Sequence, residues 1–555
     1  MVTIDGIEIE IKGEKNVLEL CRRAGIELPT FCYHPELSVF GACRMCMVEI
    51  DKMGILPACS TKPTDGMVIK TNTKQLRDIR RTNIELLLAS HDQSCTTCQK
   101  SGDCKLQAIA KQLGVTDVRF KPMGRSKVLD ASSYAVVRDQ SKCILCGNCV
   151  RTCNEIQTVG ALGFAYRGAR AIATTAFNKP LRDTTCVGCG QCVKACPVGA
   201  LMLSSQINGV WEAIYDPAKV TAVQIAPAVR VALGEFFGLE PGKVTTAKIV
   251  SALRLIGFNN VYDTCFGADM TVVEEGNEFL TRLGKNENMP LFTSCCPAWV
   301  KFVEEFYPDN VRHFSTCRSP QQMLGAVIKE QLGRDVVSVA VMPCLAKKIE
   351  GAREEFSTHG NRDVDFVIST KELALMIKER GIDFAKLPDG EFDQPFGTFS
   401  GSAVIFGASG GVSEAVLRFA AHKLDKNGKY DFKTLRDQPG CKITEATIAG
   451  KTLRIAVVSG LGNARKMLDD IHAGNAHFDI MEVMSCPGGC VNGGGQPITD
   501  DASAVAKRAR GLYENDKAQK VASSGENADL KKLYDDGLTQ KAHTILHTKY
   551  KGSKP

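Results

Sequence analysis

The residues able to do chemistry in this chain are first of all its thiols. Cys186, Cys189, Cys192 and Cys196, followed by Pro197, form a Cys-x2-Cys-x2-Cys-x3-Cys-Pro run, and Cys143, Cys146, Cys149 and Cys153 repeat the spacing with Asn154 in place of the proline. Thiolates are soft ligands that suit iron–sulfur clusters or zinc. Two matched runs form the two-cluster iron–sulfur pattern, in which the fourth cysteine of each run serves the other cluster. That exchange predicts two 4Fe-4S sets, Cys143, Cys146, Cys149 with Cys196, and Cys153 with Cys186, Cys189, Cys192. Cys32, Cys43, Cys46 and Cys59 are separated by gaps of ten, two and twelve residues. This is not the plant-type 2Fe-2S spacing, and spacing alone leaves a zinc site open. His91, Cys95, Cys98 and Cys104 form a third set, which as a Cys3His group also admits zinc.

Three later segments bring in five more cysteines: Thr293-Ser-Cys-Cys-Pro-Ala-Trp299, Met342-Pro-Cys-Leu-Ala-Lys-Lys-Ile-Glu350 and Met481-Glu-Val-Met-Ser-Cys-Pro-Gly-Gly-Cys-Val-Asn-Gly-Gly-Gly-Gln-Pro497. Adjacent side chains diverge, so Cys295 and Cys296 are not expected to ligate one cluster together. Cys296, Cys344, Cys486 and Cys490 are then the ligand candidates and Cys295 a spare thiol. The glycines around Cys490 predict a backbone that approaches a bulky group closely. Glu275 and Glu278 are three apart and share a face if helical, which by itself reads as a solvated acidic face. Cys21, Cys265, Cys317 and Cys441 stand outside every motif and read as buried or surface thiols, although Cys317 lies two residues from Ser315.

These groups need several bodies to hold them. At 555 residues the chain exceeds one hydrophobic core, and roughly three to five domains are expected. Apolar content of 44% and charged content of 24% are those of a soluble globular protein. No apolar run reaches about 18 residues, and the start lacks a signal-peptide layout, so a cytoplasmic, non-membrane protein is expected. A reducing compartment favours metal binding over disulfides. The net charge of +7 is spread without basic tracts, which speaks against nucleic acid and weakly for docking an acidic partner. Val2-Thr3-Ile4, the turn Asp5-Gly6 and Ile7, Ile9, Ile11 predict a hairpin, and Val17 to Ala24 a helix capped by Gly25. From about 210 to 508 the strand-like runs Val220–Ile225, Val336–Val341 and Leu453–Val458 each lead into a turn and a helical pattern. Residues 521–527 read as a linker before a helical tail from Leu530 to Tyr550. Gly460-Leu-Gly-Asn-Ala-Arg465 lacks the third glycine of a dinucleotide fingerprint and is rejected as one.

The three later cysteine segments resemble the signature motifs of FeFe hydrogenases, and the order of all regions resembles the modular members of that family. The resemblance implies a multidomain α+β and α/β chain. Its parts would be a β-grasp 2Fe-2S domain (1–78), a small His/Cys3 4Fe-4S domain (79–118), a bacterial two-4Fe-4S ferredoxin domain (119–208), a large α/β catalytic domain (209–508) and a small-subunit-like helical tail (509–555). It assigns 2Fe-2S to the Cys32 set and 4Fe-4S to the His91 set. It also implies the family's H-cluster, a 4Fe-4S cubane joined to a diiron subsite with CO, cyanide and azadithiolate. Cys296, Cys344, Cys486 and Cys490 would hold the cubane, and Cys490 would also bridge to the iron pair. Lys347 would bind a cyanide, Met342 and Met484 would pack around the diiron site, and Ala226 and Pro227 would line its cyanide side. Protons would pass Glu278, Ser315, Glu275 and Cys295, with Arg282 beyond. Ala228 departs from members that carry serine there. The implied activity is reversible reduction of protons to H2, with electrons from ferredoxin or a similar carrier. The alternative is a catalytic subunit working with NAD(P)-binding partner subunits. A hydrogen sensor and a non-catalytic iron–sulfur protein are the rival readings, and hydrogenase maturation proteins are implied partners.

Overall fold

The computed structural model describes residues 1–121, 128–425, 430–436, 440–499, 501 and 503–552. The chain forms two compact units: Met1–Ile156, Gly160–Cys186 and Gln191–Met202 in the first, Gln157–Val159, Val187–Gly190 and Leu203–Pro555 in the second.

In the first unit the expected hairpin is present. Val2–Ile4 pairs antiparallel with Ile7–Ile9 across Asp5 and Gly6, whose φ values of 48° and 87° are those of a two-residue turn matched to strand twist. Val2–Ile4 also pairs parallel with Val68–Lys70, and Met47–Ile50 and Gly54–Pro57 complete a five-stranded sheet. Helix Val17–Arg23, capped by the Asn16 side chain, lays Val17, Leu18 and Leu20 against Ile4, Val48 and Ile50. This is the β-grasp arrangement, and it positions the Cys32–Cys59 segment.

The second unit contains two sheets. One is wholly parallel in the order Asn260–Asp263, Thr221–Ile225, Val337–Met342, Phe366–Ser369. In the other, Leu291–Phe292, Ile480–Met484 and Lys451–Ser459 run parallel and Cys441–Ile448 is an antiparallel edge. Strands buried on both faces read as continuous apolar runs, which is why Thr221–Ile225, Val337–Met342 and Ile480–Met484 have no exposed residue. In such sheets ligands bind beyond the carboxyl ends of the strands. Cys295 and Cys296 follow Leu291–Phe292, Cys344 follows Val337–Met342, and Cys486 follows Ile480–Met484.

The expected limits at 78/79, 208/209 and 508/509 lie on the helices Lys74–Ala89, Ile207–Tyr215 and Ala504–Lys517. Two expectations need correction. Residues 521–527 are no free linker. Gly401 and Ser402 N–H donate to the Val521 and Ala522 carbonyls, Ser523 and Glu526 form a capping box, and Asn527 is 3% exposed. The tail is helical only over Ala528–Leu533 and Thr539–Ile545, broken around Gly537 at φ 120°. Among the described residues no helix is long and apolar enough to cross a membrane.

Candidate active site and iron–sulfur ligand sets

Within the first unit Cys32 and Cys43 bring their sulfurs to 3.4 Å, and Cys46 is hydrogen-bonded to Cys59. The four donors thus come as two pairs, whereas a tetrahedral zinc with bonds of about 2.3 Å needs all its sulfurs at about 3.8 Å from one another. Two pairs suit two irons. Cys143, Cys146, Cys149 and Cys196 line one cavity with Ile144 and Val198, so the fourth cysteine of the second run meets the first three of the other. Of the reciprocal set, Cys153, Cys186 and Cys192 lie in the first unit and Cys189 in the second. His91 has a buried Nδ1 with no hydrogen-bond partner, the condition of a ring nitrogen meant for a ligand. Gly199 is needed beside Cys98, since a Cβ there would sit 2.5 Å from its Sγ.

In the second unit the four motif thiols converge. Cys490 lies close enough to Cys344, Cys296 and Cys486, and to Cys295, for their charges to raise its pKa on top of burial. Its Sγ is 3.9 Å from the Met484 sulfur, and Met342 is buried at the end of Val337–Met342 in the other sheet. Among the described residues the only three His, Cys, Asp or Glu donors within 4.8 Å of one another are Glu278, Cys317 and His547. The four thiols therefore converge without closing to single-ion spacing, which fits a multi-iron cluster. Two of the glycines near Cys490 serve close packing of the chain on itself. A Cβ on Gly493 would meet the Pro343 carbonyl oxygen at 2.1 Å and one on Gly489 the Ser409 nitrogen at 2.6 Å, so they let the motif loops pack backbone on backbone.

Lys347 is buried, and its amine meets Glu350 Oε1 at 3.1 Å and Oε2 at 2.9 Å. Burial alone would depress this lysine, but the Glu350 carboxylate holds its pKa above the ordinary value. Ala226 and Pro227 follow Thr221–Ile225, with Ala226 N–H on the Val341 carbonyl at 3.0 Å, and Gln496 donates to the Ala228 carbonyl at 2.9 Å.

Helix Thr264–Lys285, capped by Asp263, carries the acidic pair. Glu275 is 1% exposed, and neither carboxylate oxygen accepts a hydrogen bond from the described residues. Burial, reinforced by the charge of Glu278, pushes its pKa up to about 8, and Ser315 beside it offsets only part of this. Ser315 donates to Glu278 Oε2 at 2.9 Å, and Arg282 holds Glu278 Oε1 at 2.5 Å. Cys295 is packed among core residues, and burial followed by the Glu275 charge pushes its thiol well above the ordinary value. The solvated-face reading of the glutamates does not hold for Glu275, because this side of the helix is covered. Sequence reasoning missed Glu350, and it missed Glu482, a buried carboxylate near Glu275 and Cys295 that accepts from Gly410 and Ser413 N–H at 2.8 Å. A lone acid in the apolar run Ile480–Met484 was the available signal. Cys21, Cys265 and Cys317 are buried and Cys441 is exposed.

Residues 219–494 match the family described as iron only hydrogenase large subunit, C-terminal domain, and residues 502–553 match iron hydrogenase small subunit. Residues 1–74 match a 2Fe-2S iron-sulfur cluster binding domain, 80–119 the NADH-ubiquinone oxidoreductase-G iron-sulfur binding region, and 142–200 a 4Fe-4S dicluster domain. The NADP-reducing hydrogenase subunit HndD of Solidesulfovibrio fructosivorans is 44% identical over 99% of this chain and 98% of its own length. Iron hydrogenase 1 of Clostridium pasteurianum is 36% identical over 99% of both chains. Among solved structures, an FeFe-hydrogenase of Chlamydomonas reinhardtii aligns with a TM-score of 0.57 at 37% identity, over 63% of this chain and 99% of that one.

Proposed function

This chain belongs to the iron-only hydrogenase family, an enzyme class that interconverts H2 with protons and electrons, and we propose how its own residues divide that work. Cys296, Cys344, Cys486 and Cys490 would hold the cubane of the H-cluster, and Cys490 would also meet its iron pair. The cluster, when bound, supplies the redox chemistry and the binding of hydrogen. Ala226, Pro227, Met342 and Met484 would line the diiron side and keep it dry. Lys347 has three N–H donors and one carboxylate partner, so it keeps a donor for a cyanide ligand while Glu350 fixes its direction.

The proton route is the part this chain builds alone. Arg282 orients Glu278, whose carboxylate takes the Ser315 hydroxyl, and Ser315 stands beside Glu275. A carboxyl with a pKa of about 8 both accepts and releases protons near neutrality, which a carboxyl at its ordinary 4.5 does poorly. Cys295, whose thiol burial keeps protonated, would be the last proton-bearing side chain of this route before the cofactor site. The observation that carries this reading is the buried, unpartnered Glu275 between Ser315 and Cys295. Cys295→Ala in the maturated enzyme is expected to keep the carbonyl and cyanide infrared bands while turnover falls about 10²- to 10⁴-fold. Turnover above about a tenth of the parent's with intact bands would remove the thiol from the route.

The accessory sets at Cys32, His91, Cys143 and Cys186 would carry electrons between the cubane and a ferredoxin-like carrier. The 44% identity to an NADP-reducing hydrogenase subunit favours a second reading, in which partner subunits supply the nucleotide site. H2 evolution by the purified chain with reduced ferredoxin and none with NADH or NADPH supports the first; dependence on added subunits supports the second. In this chain Gly460–Arg465 sits at a strand-to-helix turn, but Arg465 lies over the Phe302 and Phe306 rings at 4.9 and 4.8 Å, a packing role.

A further inference from the structure

Three unlike metal-binding side chains meet beside Glu278. A Glu278 carboxylate oxygen, the Cys317 sulfur and a His547 ring nitrogen lie within 4.8 Å of one another. They come from the helix Thr264–Lys285, the turn after Ser315 and the tail, whose residue 547 pairs antiparallel with residue 317. Cys317 is fully buried, 4.0 Å from Glu278 Oε2, and belongs to no cluster set. His547 Nδ1 lies 2.9 Å from Thr316 Oγ1, and its Nε2 lies 3.1 Å from Glu274 Oε2. Glu274 also accepts from the Tyr534 hydroxyl. Its pKa is held below the usual value because the His547 and Tyr534 bonds outweigh burial, so it is ionised and His547 Nε2 must be the donor. Nδ1 is then the acceptor facing the Thr316 hydroxyl, which also lies 3.2 Å from Glu278 Oε2, so a metal would take the Nδ1 lone pair in place of Thr316. A carboxylate behind the imidazole is the usual outer support of a metal-binding histidine.

Charge points the same way. Glu274 and Glu278 against the Arg282 guanidinium leave one net negative charge, while Cys317, its thiol pushed up by burial and the neighbouring glutamates, keeps its proton. Loss of that proton on binding brings the site to the two charges that a divalent cation cancels. Sulfur, imidazole and carboxylate together select a borderline-soft cation, and three protein donors plus one water complete four-coordinate zinc.

We propose that Glu278, Cys317 and His547 form a zinc-class divalent-cation site whose occupation blocks proton passage at Glu278. The proposal rests on the reading of Glu278 as a proton relay. Binding replaces the Cys317 S–H bond by a metal–sulfur bond, releases one proton to solvent, and changes no oxidation state. Glu278 Oε2 accepts from Ser315 at 2.9 Å and from the Thr316 N–H and hydroxyl at 3.0 and 3.2 Å. It would give up the Ser315 and Thr316 hydroxyl bonds for the metal, which breaks the relay in both directions.

The test uses the maturated full chain in a Cys441→Ser background, so that the exposed thiol adds no sulfur. Zinc chloride is added and excess removed. One tightly held zinc per chain is expected, with one sulfur and otherwise nitrogen and oxygen neighbours in its absorption edge. H2 production from a reduced viologen should slow at least tenfold. Cys317→Ala should lose both the zinc and the inhibition at unchanged basal turnover, and His547→Asn gives an independent check should the first variant load its cofactor poorly. Retention of the same zinc–sulfur signal in Cys317→Ala, or no retained zinc, would overturn the site. Zinc held by Cys317 with unaltered turnover would keep the site, overturn the blockade and take Glu278 off the proton route.

Discussion

Glu275 shows how one carboxyl acquires its properties from where the chain puts it. Its folded pKa of about 8 stands above the ordinary 4.5, so between these values the folded state keeps a proton that the unfolded chain gives up. Stability therefore falls as pH rises through that window, and the cost is complete above the upper value. Glu275→Gln removes the slope. The stability of the variant relative to the parent, from parallel denaturant titrations, is expected to be greater at about pH 8.5 than at about pH 5, while H2 turnover is lost at both. An equal difference at the two pH values would show that Glu275 does not titrate in this range. The accessory cysteine runs could be proposed from sequence because their spacings are local, whereas the set of Cys296, Cys344, Cys486 and Cys490 came from separate segments and from the family resemblance. Glu350 behind Lys347 and Glu274 behind His547 were not legible there, because each matters through a partner brought to it by packing.

At the level of elements, the Cys344 motif was legible as a loop following the apolar run Val336–Val341, whereas the strands Leu291–Phe292 and Ile480–Met484 before the other two motifs were not read from sequence. The stretch before the tail was misread because Ser523, Ser524 and Asn527 are loop-forming residues by composition. In the fold they satisfy buried groups: Asn527 accepts from Asp529 and Leu530 N–H at 3.2 and 3.3 Å and donates to the buried Asp269 at 3.0 Å. Asn527→Ala removes a helix cap, worth about 1 kcal/mol, and one bond to a buried carboxylate, worth about as much again. A loss near 2 kcal/mol is expected in denaturant titration, and a loss under about 0.5 kcal/mol would mean that the tail is held chiefly by the apolar contacts of Leu530, Leu533 and Ile545.

For the molecule as a whole, family relationship runs along nearly its full length, from residues 1–74 through 502–553. What composition could add was the net charge of +7. If that charge steers an acidic electron carrier, the rate with reduced ferredoxin falls severalfold between low salt and about 0.5 M, where the screening length shrinks below roughly 5 Å. The rate with a small viologen should change far less. Equal salt dependence for both donors would show that surface charge plays no part in docking.

Thr316 and His547 touch at a sequence separation of 231 residues. A ribosome adding about 5–20 residues per second needs roughly 10–50 s to make the stretch between them. Throughout that interval the neighbourhood of Thr316 is finished on one side only. Assembly of this corner of the enzyme is thus timed by translation, and its closure comes as a late event in the life of the nascent polypeptide.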